Sequence, residues 1–135
     1  MSRTLIIEDS AFYRQLLKEA LYSRFPSMEL FEAADEGEAL QRIEGCLPDL
    51  IFMDIKLPGE SGLELTKKIK TRYPNITIVI LTAYDIPEYR EAAIQAKANF
   101  FLSKGSASKE NILTLVESIL SEQRNDSGGP KSKNP

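Results

Sequence analysis

The chain has 135 residues, 42% hydrophobic and 27% charged, which suits one ordinary globular domain rather than a disordered or membrane-embedded protein. One cysteine, Cys46, and no histidine exclude an intrachain disulfide, a His-based catalytic triad, a His-ligated metal and a phosphohistidine of its own. The net charge of −3 argues against this domain gripping nucleic acid unaided, because a phosphate backbone rewards a basic surface.

Short apolar runs alternate with amphipathic segments. "TLIIE" (4–8) reads as a first strand. "SAFYRQLLKEALYSRF" (10–25) has helical spacing, with Phe12, Leu16, Leu17, Ala20 and Leu21 expected on one face, Ser10 as N-cap and Pro26 helping to end it. "MELFEAA" (28–34) alternates as an edge-like strand, and "EGEALQRIEGC" (36–46) puts Ala39, Leu40 and Ile43 on a helical stripe. "DLIFMD" (49–54) is nearly continuously apolar, as a strand covered on both faces should be. "SGLELTKKIKTRY" (61–73) opens with Ser61 and Glu64 in capping-box spacing. "NITIVILT" (75–82) is the most β-branched run. "DIPEYREAAIQAKA" (85–98) shows the same cap spacing at Asp85 and Glu88, with Pro87 in the first turn. "NFFLS" (99–103) is a fifth strand. "SKENILTLVESILSEQR" (108–124) carries Ile112, Leu115, Val116, Ile119 and Leu120 on one stripe.

Five strands alternating with five helices predict an α/β domain with a mainly parallel sheet and helices on both faces, over residues 1–124. "NDSGGPKSKNP" (125–135) has no aliphatic or aromatic side chain and reads as a disordered tail or the start of a linker. No apolar run approaches the ~20 residues of a membrane span, and the N-terminus lacks a signal-peptide pattern. Without a disulfide framework, a reducing, cytoplasmic setting is the expectation.

Ligands of an open parallel sheet bind beyond the carboxyl ends of its strands. There the chain places Glu8 and Asp9, Asp54, Thr82 and Ala83, and Ser103 and Lys104. Singly, each has an ordinary reading as a cap, a strand residue or a solvated lysine. Together, three crowded carboxylates raise one another's pKa unless a cation compensates. Mg²⁺ and Lys104 would do so, and carboxylates with a hard cation suit phosphoryl chemistry.

This pattern resembles the receiver domain of two-component response regulators, over residues 3 to about 123. The matching pieces are "LIIEDS", "DLIFMDIKLPGESGLEL", "VILTAY" and "ANFFLSKG", in order and each at a strand end. The resemblance implies the flavodoxin-like (βα)5 fold, a doubly wound parallel sheet in the order 2-1-3-4-5 within three α/β/α layers. It implies Asp54 as phosphoacceptor, and Asp9, Glu8, Asp54 and the Lys56 carbonyl as the Mg²⁺ site. Thr82 and Lys104 would hold the phosphoryl group, and Phe101 would be the switch aromatic. The surface of the fourth helix, fifth strand and fifth helix would respond. The implied protein is no enzyme beyond its own phosphorylation and dephosphorylation. Its implied partner is a sensor histidine kinase or phosphotransfer protein, with a homodimer on phosphorylation as a further expectation. Gly105 stands where many members have proline, a feature similar to receivers attached to LuxR-like helix-turn-helix output domains, which makes transcription regulation through a DNA-binding domain outside this chain the expected output. Lys56, Ala83 and Tyr84 flank the site as tuning positions; Tyr84 is expected to shade the phosphoryl group from water.

Three other readings compete. A flavodoxin-like cofactor binder wants a Ser/Thr/Gly-rich phosphate loop after the first strand, where this chain has "EDSAFYR". An aspartyl phosphatase wants a second Asp two after the nucleophile, where Lys56 stands. A receiver-like protein-interaction module that is never phosphorylated would usually lack the acceptor or the lysine, and both are present.

Overall fold

The protein's structure, a computed structural model, describes residues 2–127, with side chains described through Gln123. In chain order the elements are β1 (Arg3–Ile7), α1 (Ala11–Arg24), β2 (Glu29–Ala33), α2 (Glu36–Cys46), β3 (Leu50–Met53), α3 (Gly62–Arg72), β4 (Thr77–Thr82), α4 (Pro87–Gln95), β5 (Phe100–Ser103) and α5 (Lys109–Ser127). All strand pairs are parallel, in the order β2-β1-β3-β4-β5.

The continuous apolar runs of β1, β3 and β4 feed two cores, because successive side chains point to opposite faces. Leu5, Ile7, Ile51, Met53, Ile78 and Ile80 pack with Ala39 and Ile43 of α2, Leu65 and Ile69 of α3 and Ala93 of α4. Ile6, Leu50, Phe52, Val79 and Leu81 pack with Leu17 and Leu21 of α1 and Ile112, Leu113, Val116 and Ile119 of α5. Two helices on one face and three on the other make the expected three layers, with β2 and β5 at the edges.

Local expectations met the structure with mixed results. Ser10 caps α1, its hydroxyl accepting from the Tyr13 N–H at 3.2 Å. Ser61 caps α3, accepting from the Leu63 N–H at 3.1 Å. Asp85 does not cap α4: the N-cap is Ile86, Pro87 opens the helix, and Asp85 is instead paired with Arg90 at 2.6 and 3.2 Å. The buried stripe of α1 is also rotated from the expected one. Leu17 and Leu21 face the core with half-buried Tyr13 and Ala20, whereas Phe12 is 75% and Leu16 47% exposed. The ladders 12-16-20 and 13-17-21 are both apolar and lie side by side on the helix, so periodicity does not choose between them. Leu40 on α2 is likewise exposed beside buried Ala39 and Ile43. The helix α5 reaches Ser127, three residues beyond the expected stop at 124; the rest of the expected tail, 128–135, lies outside the described residues.

Two glycines shape the loop after β3. Gly59 has φ +93°, in the left-handed region. Gly62 starts α3 so close to the end of β3 that a Cβ would lie 1.9 Å from the Asp54 carbonyl oxygen, and its N–H donates to the Ile55 carbonyl at 2.8 Å.

Candidate functional site

The carboxyl ends of β1, β3, β4 and β5 converge. Glu8 follows β1 and is nearly buried; its N–H donates to the Ala33 carbonyl at 2.9 Å, extending the β1–β2 pairing by one residue. Asp54 follows β3 in the same way, its N–H donating to the Ile7 carbonyl at 3.0 Å. The Lys104 N–H donates to the Thr82 carbonyl at 2.8 Å, just past the Thr82–Ser103 register pair. The sheet ladder thus sets three of the site's backbones before any side chain makes a contact.

The Lys104 ammonium bridges the two buried acids, donating to Glu8 Oε1 at 2.5 Å and to Asp54 Oδ2 at 3.3 Å. The other Glu8 oxygen accepts from the Ser10 N–H at 2.9 Å, and Asp54 Oδ1 from the Ile55 N–H at 2.7 Å. Asp9 is exposed at the rim. Glu8, Asp9 and Asp54 can each offer an oxygen within 4.8 Å of the others. Burial pushes the Glu8 carboxyl up; the bonds from Lys104 and Ser10 pull it back, and the charge of Asp54 adds to the rise. Burial alone would lower the Lys104 ammonium, but the bond to Glu8 and the charges of Asp54 and Glu8 outweigh it and hold Lys104 protonated, above its ordinary value. Three carboxylates against one ammonium leave a net negative, all-oxygen donor set, which fits a hard divalent cation such as Mg²⁺.

The remaining expected residues surround this centre. Thr82 is fully buried at the end of β4, its hydroxyl accepting from the Tyr84 N–H at 3.3 Å. Phe101 on β5 is half-buried on the α2–α4 side of the sheet, opposite Ile80 in register, and the Arg90 guanidinium stacks 4.7 Å from its ring centroid. Ala83 is exposed, and Lys56 extends its ammonium over two rings, 5.1 Å from Tyr84 and 5.9 Å from Tyr89. Those rings meet edge to face at 6.5 Å. This cluster ties the β3–α3 loop to the β4–α4 loop and the first turn of α4.

Two residues escaped the sequence reading. The Tyr13 ring lies 4.2 Å from the Lys104 ammonium. Arg14 donates to the Glu8 carbonyl and, at 2.9 Å, to Glu32. Both sit in the first turn of a helix that begins directly after the β1 carboxylates, and that position was the available signal.

The chain belongs to the family of response regulator receiver domains, whose model matches residues 4–117. It is 30% identical over 119 residues to the chemotaxis protein CheY of Halobacterium salinarum, covering 87% of this chain and 96% of that one. It is 34% identical over 118 residues to the oxygen regulatory protein NreC of Staphylococcus haemolyticus, covering 87% and 54%. Among solved structures, a CheY-like receiver domain protein from Methanospirillum hungatei superposes with a TM-score of 0.84 at 28% identity, over 93% of this chain and 98% of that one. The chain spans between a third and just over half of the length of several curated relatives, among them a protein-glutamate methylesterase/protein-glutamine glutaminase of Pyrococcus abyssi, 33% identical over 89% of this chain and 33% of that protein. The family places the chain among phosphorylation-type signalling switches of two-component systems. Among the described residues, no helix is long and apolar enough to cross a membrane.

Proposed function

We propose that the chain accepts a phosphoryl group on Asp54 from a histidine of a sensor kinase or phosphotransfer protein. The observation that carries this reading is the Lys104 ammonium bridging Glu8 and Asp54 with Asp9 beside them. A lysine held against the acceptor is poised to pair with an incoming phosphoryl oxygen. The donor histidine must come from a partner, because this chain has none.

In the transfer, an Asp54 carboxylate oxygen attacks phosphorus and forms an acyl phosphate. The P–N bond of the donor breaks, and its electron pair stays on the imidazole nitrogen. Lys104 neutralises charge on the phosphoryl oxygens, so positioning and electrostatics supply most of the acceleration. Glu8, Asp9, Asp54 and the Lys56 carbonyl would hold Mg²⁺, which when bound supplies further neutralisation. The Thr82 hydroxyl would donate a hydrogen bond to the attached group. Its movement would free space into which Phe101 turns, releasing Arg90 and altering the face of α4, β5 and α5. Homodimerisation or contact with an output domain through that face follows from this reading. A transcriptional output is supported by a relative described as the transcriptional activator protein ExaE of Pseudomonas putida, 33% identical over 76% of this chain and 48% of that protein.

The test is incubation with Mg²⁺ and acetyl phosphate, read by intact mass and peptide mapping. The expected result is one base-labile phosphoryl group at Asp54, absent from Asp54→Asn. Uptake at another residue, or none, sinks the assignment.

A further inference from the structure

We propose that Tyr13 is a positioning residue whose ring face holds the Lys104 ammonium at the acceptor. The inference rests on the phosphorylation reading above and assigns one more residue to that site. An ammonium has three N–H donors. Two of those on Lys104 reach Glu8 and Asp54; the Tyr13 ring centroid is 4.2 Å away, within the range at which an aromatic face attracts a cation. The Lys104 side chain is 17% exposed, so the ring stands where water would otherwise solvate the charge.

The ring is itself fixed. The Ser10 cap accepts the Tyr13 N–H, and the ring packs against the α1–α5 core from behind. It lines a cleft with Ile6, Glu8, Phe52, Asp54 and Leu81. Its neighbour Phe12, by contrast, points to solvent. An aromatic face suits this position chemically. It stabilises a cation without adding a fourth negative charge to three crowded carboxylates. It also binds too weakly to compete when a phosphoryl oxygen claims a lysine N–H.

The test compares Tyr13→Leu and Tyr13→Phe in the full chain and in a Lys104→Met background. The rate of Asp54 phosphorylation by acetyl phosphate at saturating Mg²⁺ should fall about 3- to 10-fold in Tyr13→Leu, and stay within about twofold of the parent in Tyr13→Phe, since the ring face is retained. In Lys104→Met, Tyr13→Leu should cause no further fall, which a merely structural role would not produce. Without any phosphodonor, the Lys104 ε-methylene protons should show an upfield ring-current shift by NMR in the parent and Tyr13→Phe, lost in Tyr13→Leu. A Tyr13→Leu protein with parental rate and parental shift overturns the proposal. So does an equal fall in both variants, or an undiminished fall in Lys104→Met. A parent that takes up no phosphoryl group sinks the phosphorylation reading instead, and the NMR shift then decides on the tyrosine.

Discussion

Replacing Gly62 by alanine tests how the Asp54 backbone is held. The new Cβ would stand 1.9 Å from the Asp54 carbonyl oxygen, 2.9 Å from the Asp54 carbonyl carbon and 3.1 Å from the Ile55 Cα, where ordinary contact begins at 3.4 Å. The first gap is short by 1.5 Å (3.4 − 1.9), and all three opposing atoms are backbone, so no rotamer change relieves it. The start of α3 must lift away from β3. That costs about 1–3 kcal/mol for overpacking and about 1 kcal/mol more for the strained bond from the Gly62 N–H to the Ile55 carbonyl. A loss of about 2–4 kcal/mol should lower the melting temperature by roughly 7–15 °C in a domain of this size. Differential scanning calorimetry on Gly62→Ala reads this directly, with Gly45→Ala as the control. A Cβ at Gly45 meets nothing within 4 Å inside α2, so helix propensity should make that variant neutral or up to about 1 kcal/mol more stable. A Gly62→Ala protein melting within about 3 °C of the parent would refute the claim that α3 is seated on the Asp54 carbonyl.

Tyr84→Ala should shorten the lifetime of phosphorylated Asp54 severalfold if the ring, two residues after Thr82 and held under the Lys56 ammonium at 5.1 Å, shades the phosphoryl group; equal lifetimes in a dephosphorylation time course would remove Tyr84 as a water shield. Lys97 is the left-handed residue of a Schellman motif closing α4, with φ 73° and the Lys97 and Ala98 N–H groups donating to the Ile94 and Ala93 carbonyls, each at 3.0 Å. Lys97→Gly should therefore raise stability by about 1 kcal/mol in urea unfolding, and a loss would contradict the strain assigned to that residue. The bond from Lys18 at 2.7 Å, with Arg14 at 2.9 Å adding to it against partial burial, holds the Glu32 carboxyl below its ordinary value of 4.5. A depressed carboxylate contributes stability above 4.5 that is lost as pH falls through its lower folded value, so Glu32→Gln should flatten the acid arm of the stability–pH curve. Superimposable acid arms would show that the pair adds nothing.

Much of the site was legible before folding because a parallel sheet turns linear order into spatial order. Each strand ends at the same edge, so residues that follow an apolar run, Glu8, Asp54, Thr82 and Lys104, must meet there. The two-face burial of β1, β3 and β4 was equally readable, since only a strand covered on both sides tolerates unbroken apolar sequence. What periodicity left open was rotation and partner choice. The 12-16-20 and 13-17-21 ladders of α1 are alike to a helical wheel, and only packing on the sheet buried the second. That rotation also turned Tyr13 toward Lys104 and Phe12 toward solvent. Asp85 had the spacing of a cap, but Arg90 lay within reach on the first turn of α4, and a bidentate guanidinium outcompetes backbone N–H groups for a carboxylate. Local sequence determines which elements form and where their polar ends fall, because those depend on hydrogen bonding and burial within a few residues. Tertiary structure alone decided which side chains touch across elements, because such contacts depend on how each helix rolls against the sheet.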